Sequence, residues 1–246
     1  MPFELKTAPA TFQRIMNNVL SGLTGTRCFI FLDDIVIYAN SLVDHDRKLR
    51  DVFRRLRKYN PKLQPDKCEF FRKEVTFLGH IISEHGVEPD ARKIECINNF
   101  PTPKTAKQLK CFLGLTGYYR NFFPQFSKIA AQLYKLLKRD AKYLWEENQE
   151  IAFHTLKQKL LSQPILQYPD FSREFILTTD AWNDGAGAVL SQGQIGKDLP
   201  IAYASRRFNK AEKNYSKVEK ELAAIVWGVT HFRPYLYGRK FKIVTE

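Results

Sequence analysis

The ten residues FIFLDDIVIY, 29 to 38, constrain this chain more than any other stretch. Two apolar runs rich in β-branched and aromatic residues are separated only by Asp33 and Asp34, and such runs suit buried strands. The pattern predicts a hairpin of residues 29–32 and 35–38 with both carboxylates at or beside its turn. Aspartate is a common turn residue, so a hairpin with a polar tip accounts for the pair. A tight turn can equally aim two carboxylates at one point in front of the sheet, where they repel unless cations lie between them. Hard oxygen ligands of this kind suit Mg²⁺, which phosphoryl-transfer enzymes hold with a few carboxylates plus substrate phosphate. On this stretch alone both readings stay open.

Charge adds a partner class. The net charge is +13 over 246 residues, and it is unevenly spread. Residues 1–142 carry 25 basic against 14 acidic side chains, whereas residues 143–246 carry 14 against 12. A basic half that also holds the paired aspartates points to a polyanion, with a merely soluble basic surface as the simpler reading. No run approaches the roughly 20 apolar residues of a membrane span, and the N-terminus shows no signal-peptide pattern. Membrane partners are therefore not expected. Cys28, Cys68, Cys96 and Cys111 are widely spaced with no CxxC pair, which predicts neither a disulfide framework nor a zinc site and suits a reducing, intracellular compartment.

Along the chain, Pro9 opens a predicted helix with an apolar face of Phe12, Ile15, Met16, Val19 and Leu20, ended by Gly22 and Gly25. Ser41 and Asp44 cap a second, amphipathic helix to about Tyr59, with Arg47, Lys48, Arg50, Arg54, Arg57 and Lys58 outside. Short strands are predicted at 68–71, 75–78 and 80–83. Pro89 and Asp90 open a helix to about Phe100, Thr105 with Gln108 caps the next, and Pro124 starts one helix through Leu137. The aromatic run Tyr118, Tyr119, Phe122 and Phe123 reads as core at helical spacing, with base stacking as the rival. A further amphipathic helix covers 145–162. Strands follow at 175–180, 185–192 and 200–205. A long helix capped by Asn209 comes next, then a strand from Lys240.

The order of the blocks carries more than any one of them. MPFELKTAPATFQ (1–13), the DD hairpin, FLGHIIS (77–83), CFLGLTGYYRNFFPQFSKIA (111–130), PILQYPDF (164–171), FILTTDAWNDGAGAVLSQ (175–192) and NYSKVEKELAAIVWGV (214–229) stand in sequence. This resembles the reverse transcriptase and RNase H region of gypsy-type LTR retrotransposon Pol polyproteins over essentially the whole chain. The resemblance implies an α+β fold: a partial palm at 1–86, a helical thumb at 87–142, a connector at 143–170, and the N-terminal part of an RNase H-like α/β domain at 171–246. It implies RNA-directed DNA polymerase and ribonuclease H activity, both by two-metal phosphoryl transfer with Mg²⁺, or Mn²⁺ in its place. Partners would be an RNA template, a DNA primer, their hybrid and dNTP, in a cytoplasmic particle or the nucleus.

By the same resemblance, Asp33 and Asp34 are catalytic metal ligands of the polymerase. Phe3, Ala8 and Pro9 line the incoming nucleotide, and Phe77, Leu78 and Gly79 form the primer grip. Asp180 and Glu221 are the first two nuclease acids, with Glu246 at the third position. Periodicity alone leaves Glu219 and Glu221 as equals, on opposite flanks of the apolar stripe. The family's third polymerase aspartate falls upstream of the first motif. Glu4, Thr7, Trp182 and Glu246 stand where the family has glycine, asparagine, serine and aspartate. A glutamate at position 4 brings bulk and negative charge towards a triphosphate, and one at 246 is a methylene too long for octahedral Mg²⁺. The expectation is a fragment inactive alone. The alternatives are a non-catalytic relic, a co-opted nucleic-acid-binding protein, or an unrelated structural α/β protein.

Overall fold

The computed structural model describes residues 6–139, 141–162 and 164–245, and the chain divides into two compact units, Met1–Lys73 and Glu74–Glu246. The first unit opens on α1 (Ala8–Val19), with Pro9 in its first turn where no N–H is needed. Strands β1 (Cys28–Phe31) and β2 (Asp34–Ile37) form an antiparallel hairpin. Then comes α2 (Leu42–Tyr59), capped by the Ser41 hydroxyl, which accepts from Asp44 N, and ended by Asn60 in the left-handed region at φ 58°. One face of the hairpin, with Cys28, Ile30, Ile35 and Ile37, packs on Met16, Val19 and Leu20 of the first helix segment and on Val52 and Leu56 of α2. The other face, with Phe29, Phe31 and Tyr38, is exposed.

The expected strand at 68–71 does not form. A 3₁₀ turn at Pro65–Lys67 leads into irregular chain. There, Phe70 packs edge-on against Phe53, and Phe71 tilts against His45. These ring contacts with α2 take the place of strand pairing, while both phenylalanines stay exposed.

The second unit begins with a meander of β3 (Glu74–Phe77), β4 (His80–Ser83) and β5 (Gly86–Pro89). The last of these had no sequence signal: Gly, Glu and Pro are all poor strand formers. It is held at an edge, where Val87 also bridges Leu166. Asp90 caps α3 (Ala91–Asn98) and Thr105 caps α4 (Ala106–Tyr118). The single helix expected after Pro124 is two short ones, α5 (Phe126–Ile129) and α6 (Ala131–Lys135). The helix α7 (Glu147–Leu161) starts at a capping box of Glu146 and Gln149. It does more than connect: Ala152, Phe153, Leu156 and Leu160 are buried in the same cluster as Ile97, Leu109, Phe112, Phe126 and Leu133.

A four-stranded sheet completes the unit, in the order β8 (Leu199–Arg207), β7 (Gly185–Gln192), β6 (Phe175–Trp182), β9 (Phe241–Thr245). Pairings are antiparallel except β6 with β9, which is parallel. Between β8 and β9 run α8 (Lys217–His231) and α9 (Arg233–Leu236). Asn209 does not cap the long helix as expected. Its Oδ1 accepts from Ala211 N and Glu212 N, closing a 3₁₀ turn, and α8 starts at Ser216. Gly228 lets α8 cross the sheet closely, since a Cβ there would lie 3.3 Å from Thr179 Cγ2. Among the described residues no helix is long and apolar enough to cross a membrane.

Candidate functional site: two carboxylate pairs and a gripping turn

The hairpin of the first unit closes in two residues, Leu32 and Asp33, with Phe31 opposite Asp34. Asp33 therefore sits in the turn and Asp34 opens the return strand, both exposed. Leu32 is forced to φ 53°, a region costing a non-glycine residue about 1–2 kcal/mol. Gln13 of α1 holds it there. Its Oε1 accepts from Leu32 N at 2.6 Å and its Nε2 donates to Ile30 O at 3.4 Å. Gln13 carries no candidate chemistry of its own and was not singled out from sequence, although it closes the first motif. The structure makes it the side chain that presents the paired aspartates.

Of the residues expected at a nucleotide, Ala8 and Pro9 lie in the first turn of α1, half-buried and exposed respectively. Phe3 lies outside the described residues, as does Glu4.

In the second unit Phe77 ends β3 opposite His80, and Leu78 and Gly79 form the β3–β4 turn. Leu78 and Gly79 both have positive φ, 50° and 70°, as the commonest two-residue hairpin turn requires. Tyr118 Oη donates to Leu78 O at 2.6 Å and Tyr119 Oη to Gly79 O at 2.9 Å. His80 stacks on Phe122 and donates from Nδ1 to Leu78 O. Burial pushes its pKa down, partly offset by that hydrogen bond. The aromatic run is thus chiefly core: Tyr119, Phe122 and Phe123 are buried, and exposed Tyr118 spends its hydroxyl on the turn. Burial drives the Tyr119 hydroxyl up to about 12, so it stays a donor.

The remaining acids lie on two packed elements. Asp180 is near the end of β6, opposite Gly187 of β7, and accepts from Gln125 Nε2 at 3.1 Å. Gln125 is held by its neighbour Ser127, whose N donates to Ser205 Oγ and whose Oγ donates to Ser205 O. Trp182 ends β6 instead of lying past it, spreading over Gly185, where an added Cβ would meet its ring at 2.6 Å.

Local geometry separates the two glutamates that periodicity could not. Glu219 is consumed by the helix start: its Oε2 accepts from Ser216 N at 2.7 Å, which pulls its pKa down. Glu221, half-buried two residues on, has a buried Oε2 with no hydrogen-bond partner. A buried carboxylate oxygen without a donor is costly unless a cation or water completes it, so the donor set suits a hard divalent ion. Glu246 lies outside the described residues. It follows Thr245, which pairs in register with Thr179, the residue before Asp180. Among the described residues no three His, Cys, Asp or Glu side chains converge in metal-ligating geometry.

Residues 1–82 match the family described as reverse transcriptase (RNA-dependent DNA polymerase), and residues 145–243 match the RNase H-like domain found in reverse transcriptase. The retrovirus-related Pol polyprotein from transposon 297 of Drosophila melanogaster is 47% identical over all of this chain. The chain belongs to the gypsy-type retrotransposon Pol family. It spans 23% of that Pol relative's length. The transposon Tf2-3 polyprotein of Schizosaccharomyces pombe is 37% identical over the whole chain, which spans 19% of it. The foamy viral protease-reverse transcriptase in complex with RNA/DNA hybrid has a TM-score of 0.82 at 25% identity, covering 100% of this chain and 33% of that one. The same protein in complex with dsDNA gives 0.85, also at 25% identity, covering 100% of this chain and 51% of that one. The α+β fold, a reverse transcriptase domain followed by an RNase H-like domain, agrees with the order read from the motifs.

Proposed function

We propose that this Pol segment serves RNA-directed DNA synthesis and RNA cleavage in the resulting hybrid. Asp33 and Asp34 would be metal ligands of the polymerase, and Asp180 and Glu221 metal ligands of the nuclease. Mg²⁺ bound at such acids lowers the charge cost of an attacking oxygen and of the leaving group. Gln13 presents the first pair, Gln125 orients Asp180, and the β3–β4 turn with its two tyrosine anchors would hold a primer strand. The observation that carries the reading is Glu221, whose buried Oε2 lacks any protein donor, while Glu219 two residues before caps the helix start through Ser216 N. The solved relatives in complex with dsDNA and RNA/DNA hybrid support a duplex as partner.

The reading rests on Asp33 and Asp34 in one centre and on Asp180 and Glu221 in the other, and Glu246 departs from the family's aspartate. The isolated polypeptide is therefore expected to bind Mn²⁺ weakly and to incorporate no dNTP on a primed template. Titration with Mn²⁺ followed by electron paramagnetic resonance tests the nuclease pair: Asp180→Asn and Glu221→Gln should each weaken binding. Unchanged binding in both variants would overturn the assignment. Template-dependent dNTP incorporation by residues 1–246 would overturn the expectation of inactivity. The second reading, a protein that binds nucleic acid and no longer catalyses, is favoured by the departures at Glu4 and Glu246. Hybrid binding without any response to Mn²⁺ would select it.

A further inference from the structure

We propose that a cleft of about 200 Å³ beside the edge of the four-stranded sheet binds a phosphate group. The 3₁₀ turn Arg120–Phe122 contributes Arg120 and Asn121, β8 contributes Ser205 and Arg206, and α8 contributes Trp227 and His231. All six belong to the second unit.

The lining contains two guanidinium groups and no carboxylate. Arg206 is fixed: both terminal nitrogens donate to Glu212 at 2.9 and 2.8 Å, and its guanidinium lies 5.6 Å from the Trp227 ring centroid. Its Nε is buried and has no partner. Arg120 is exposed and makes no ion pair among the described residues, so its fork is available. Trp227 and His231 tilt against each other at 5.4 Å and form an aromatic wall. Neither imidazole nitrogen of His231 hydrogen-bonds a protein group among the described residues. The Ser205 hydroxyl is already engaged by Ser127.

The uncommitted fork of Arg120 and the free imidazole of His231, beside a partly enclosed space walled by Trp227, favour an oxyanion with several acceptor oxygens, and a guanidinium fork matches phosphate geometry. The volume suits a phosphate with part of a sugar more than a whole nucleotide. The site does not depend on the nuclease reading, because none of its residues is among the candidate acids.

A chain of net charge +13 attracts phosphate everywhere, so the test needs a local signal. The indole N–H resonance of Trp227, assigned with Trp227→Phe, would be followed in the full chain as inorganic phosphate is added. A saturating shift is expected, weakened about tenfold by Arg120→Gln and unaffected by Lys104→Gln. Acetate at the same ionic strength should leave the resonance in place. Adenosine 5′-monophosphate and a short RNA–DNA hybrid then separate the two sources of phosphate. Tighter saturation by either supports the site and names the source. A non-saturating shift, an equal response to acetate, or unchanged affinity in a folded Arg120→Gln protein would overturn the proposal.

Discussion

The aspartate pair owes its presentation to a residue that carries no charge. Leu32 at φ 53° is held by Gln13 of α1, which accepts from its N–H. Gln13→Ala should therefore destabilise the first unit by about 1–2 kcal/mol, read as a lower urea midpoint at unchanged slope, and an unshifted midpoint would contradict it. His80 supplies a second residue-scale expectation. Burial lowers its folded pKa below the unfolded value, so the unfolded chain binds more protons between the two. Its contribution to stability is present above about pH 6.5 and is lost as pH falls towards the folded pKa. Between pH 7 and 5 His80→Phe should lose less stability than the parent protein, and parallel curves would show that His80 is not the titrating group. The adjacent glutamates show what sequence withholds at this scale. Glu219 and Glu221 share a helix and flank the same stripe, and they are told apart by the capping hydrogen bonds at Ser216 and by the buried, unpartnered Oε2 of Glu221.

At the scale of elements, caps were more legible than strands. Ser41, Asp90 and Thr105 act as N-caps where the sequence placed them, because a cap is decided within a few residues. The short strand β5 and the irregular segment after Lys67 depend on distant partners, Leu166 in one case and α2 in the other. So does the role of α7. Its fully buried Phe153 lies 4.5 Å from the Phe112 ring. Phe153→Ala should cost about 3–5 kcal/mol, where a passive connector would cost little, and thermal unfolding distinguishes the two. Charge also sorts by element. In α2, Arg47, Lys48, Arg50 and Arg54 are paired with Asp44, Asp46 and Asp51, whereas Lys104, Lys107 and Lys110, at and before α4, are exposed and form no ion pair among the described residues. Replacing these three by Gln should reduce the slope of log affinity against log salt for a hybrid by about 2–3. An unchanged slope would place the contacts elsewhere.

For the molecule as a whole, the motif order established the family and the succession of domains, since seven ordered blocks need no knowledge of packing. The division of compact units was not legible in it. The turn holding Phe77, Leu78 and Gly79 lies within the reverse transcriptase match at 1–82, and in the second compact unit it is fastened by Tyr118 and Tyr119 at the end of α4. The central claim is that Asp180 and Glu221 are nuclease ligands awaiting further acids. The most direct measurement is cleavage of the RNA strand of a hybrid by a chain extended through the segment that follows in its Pol relatives, carrying Glu246→Asp. Mg²⁺-dependent cleavage is predicted, and Asp180→Asn in the same chain should abolish it. A cooperatively folded extended chain that leaves the RNA intact, or cleavage unchanged by Asp180→Asn, would contradict the account.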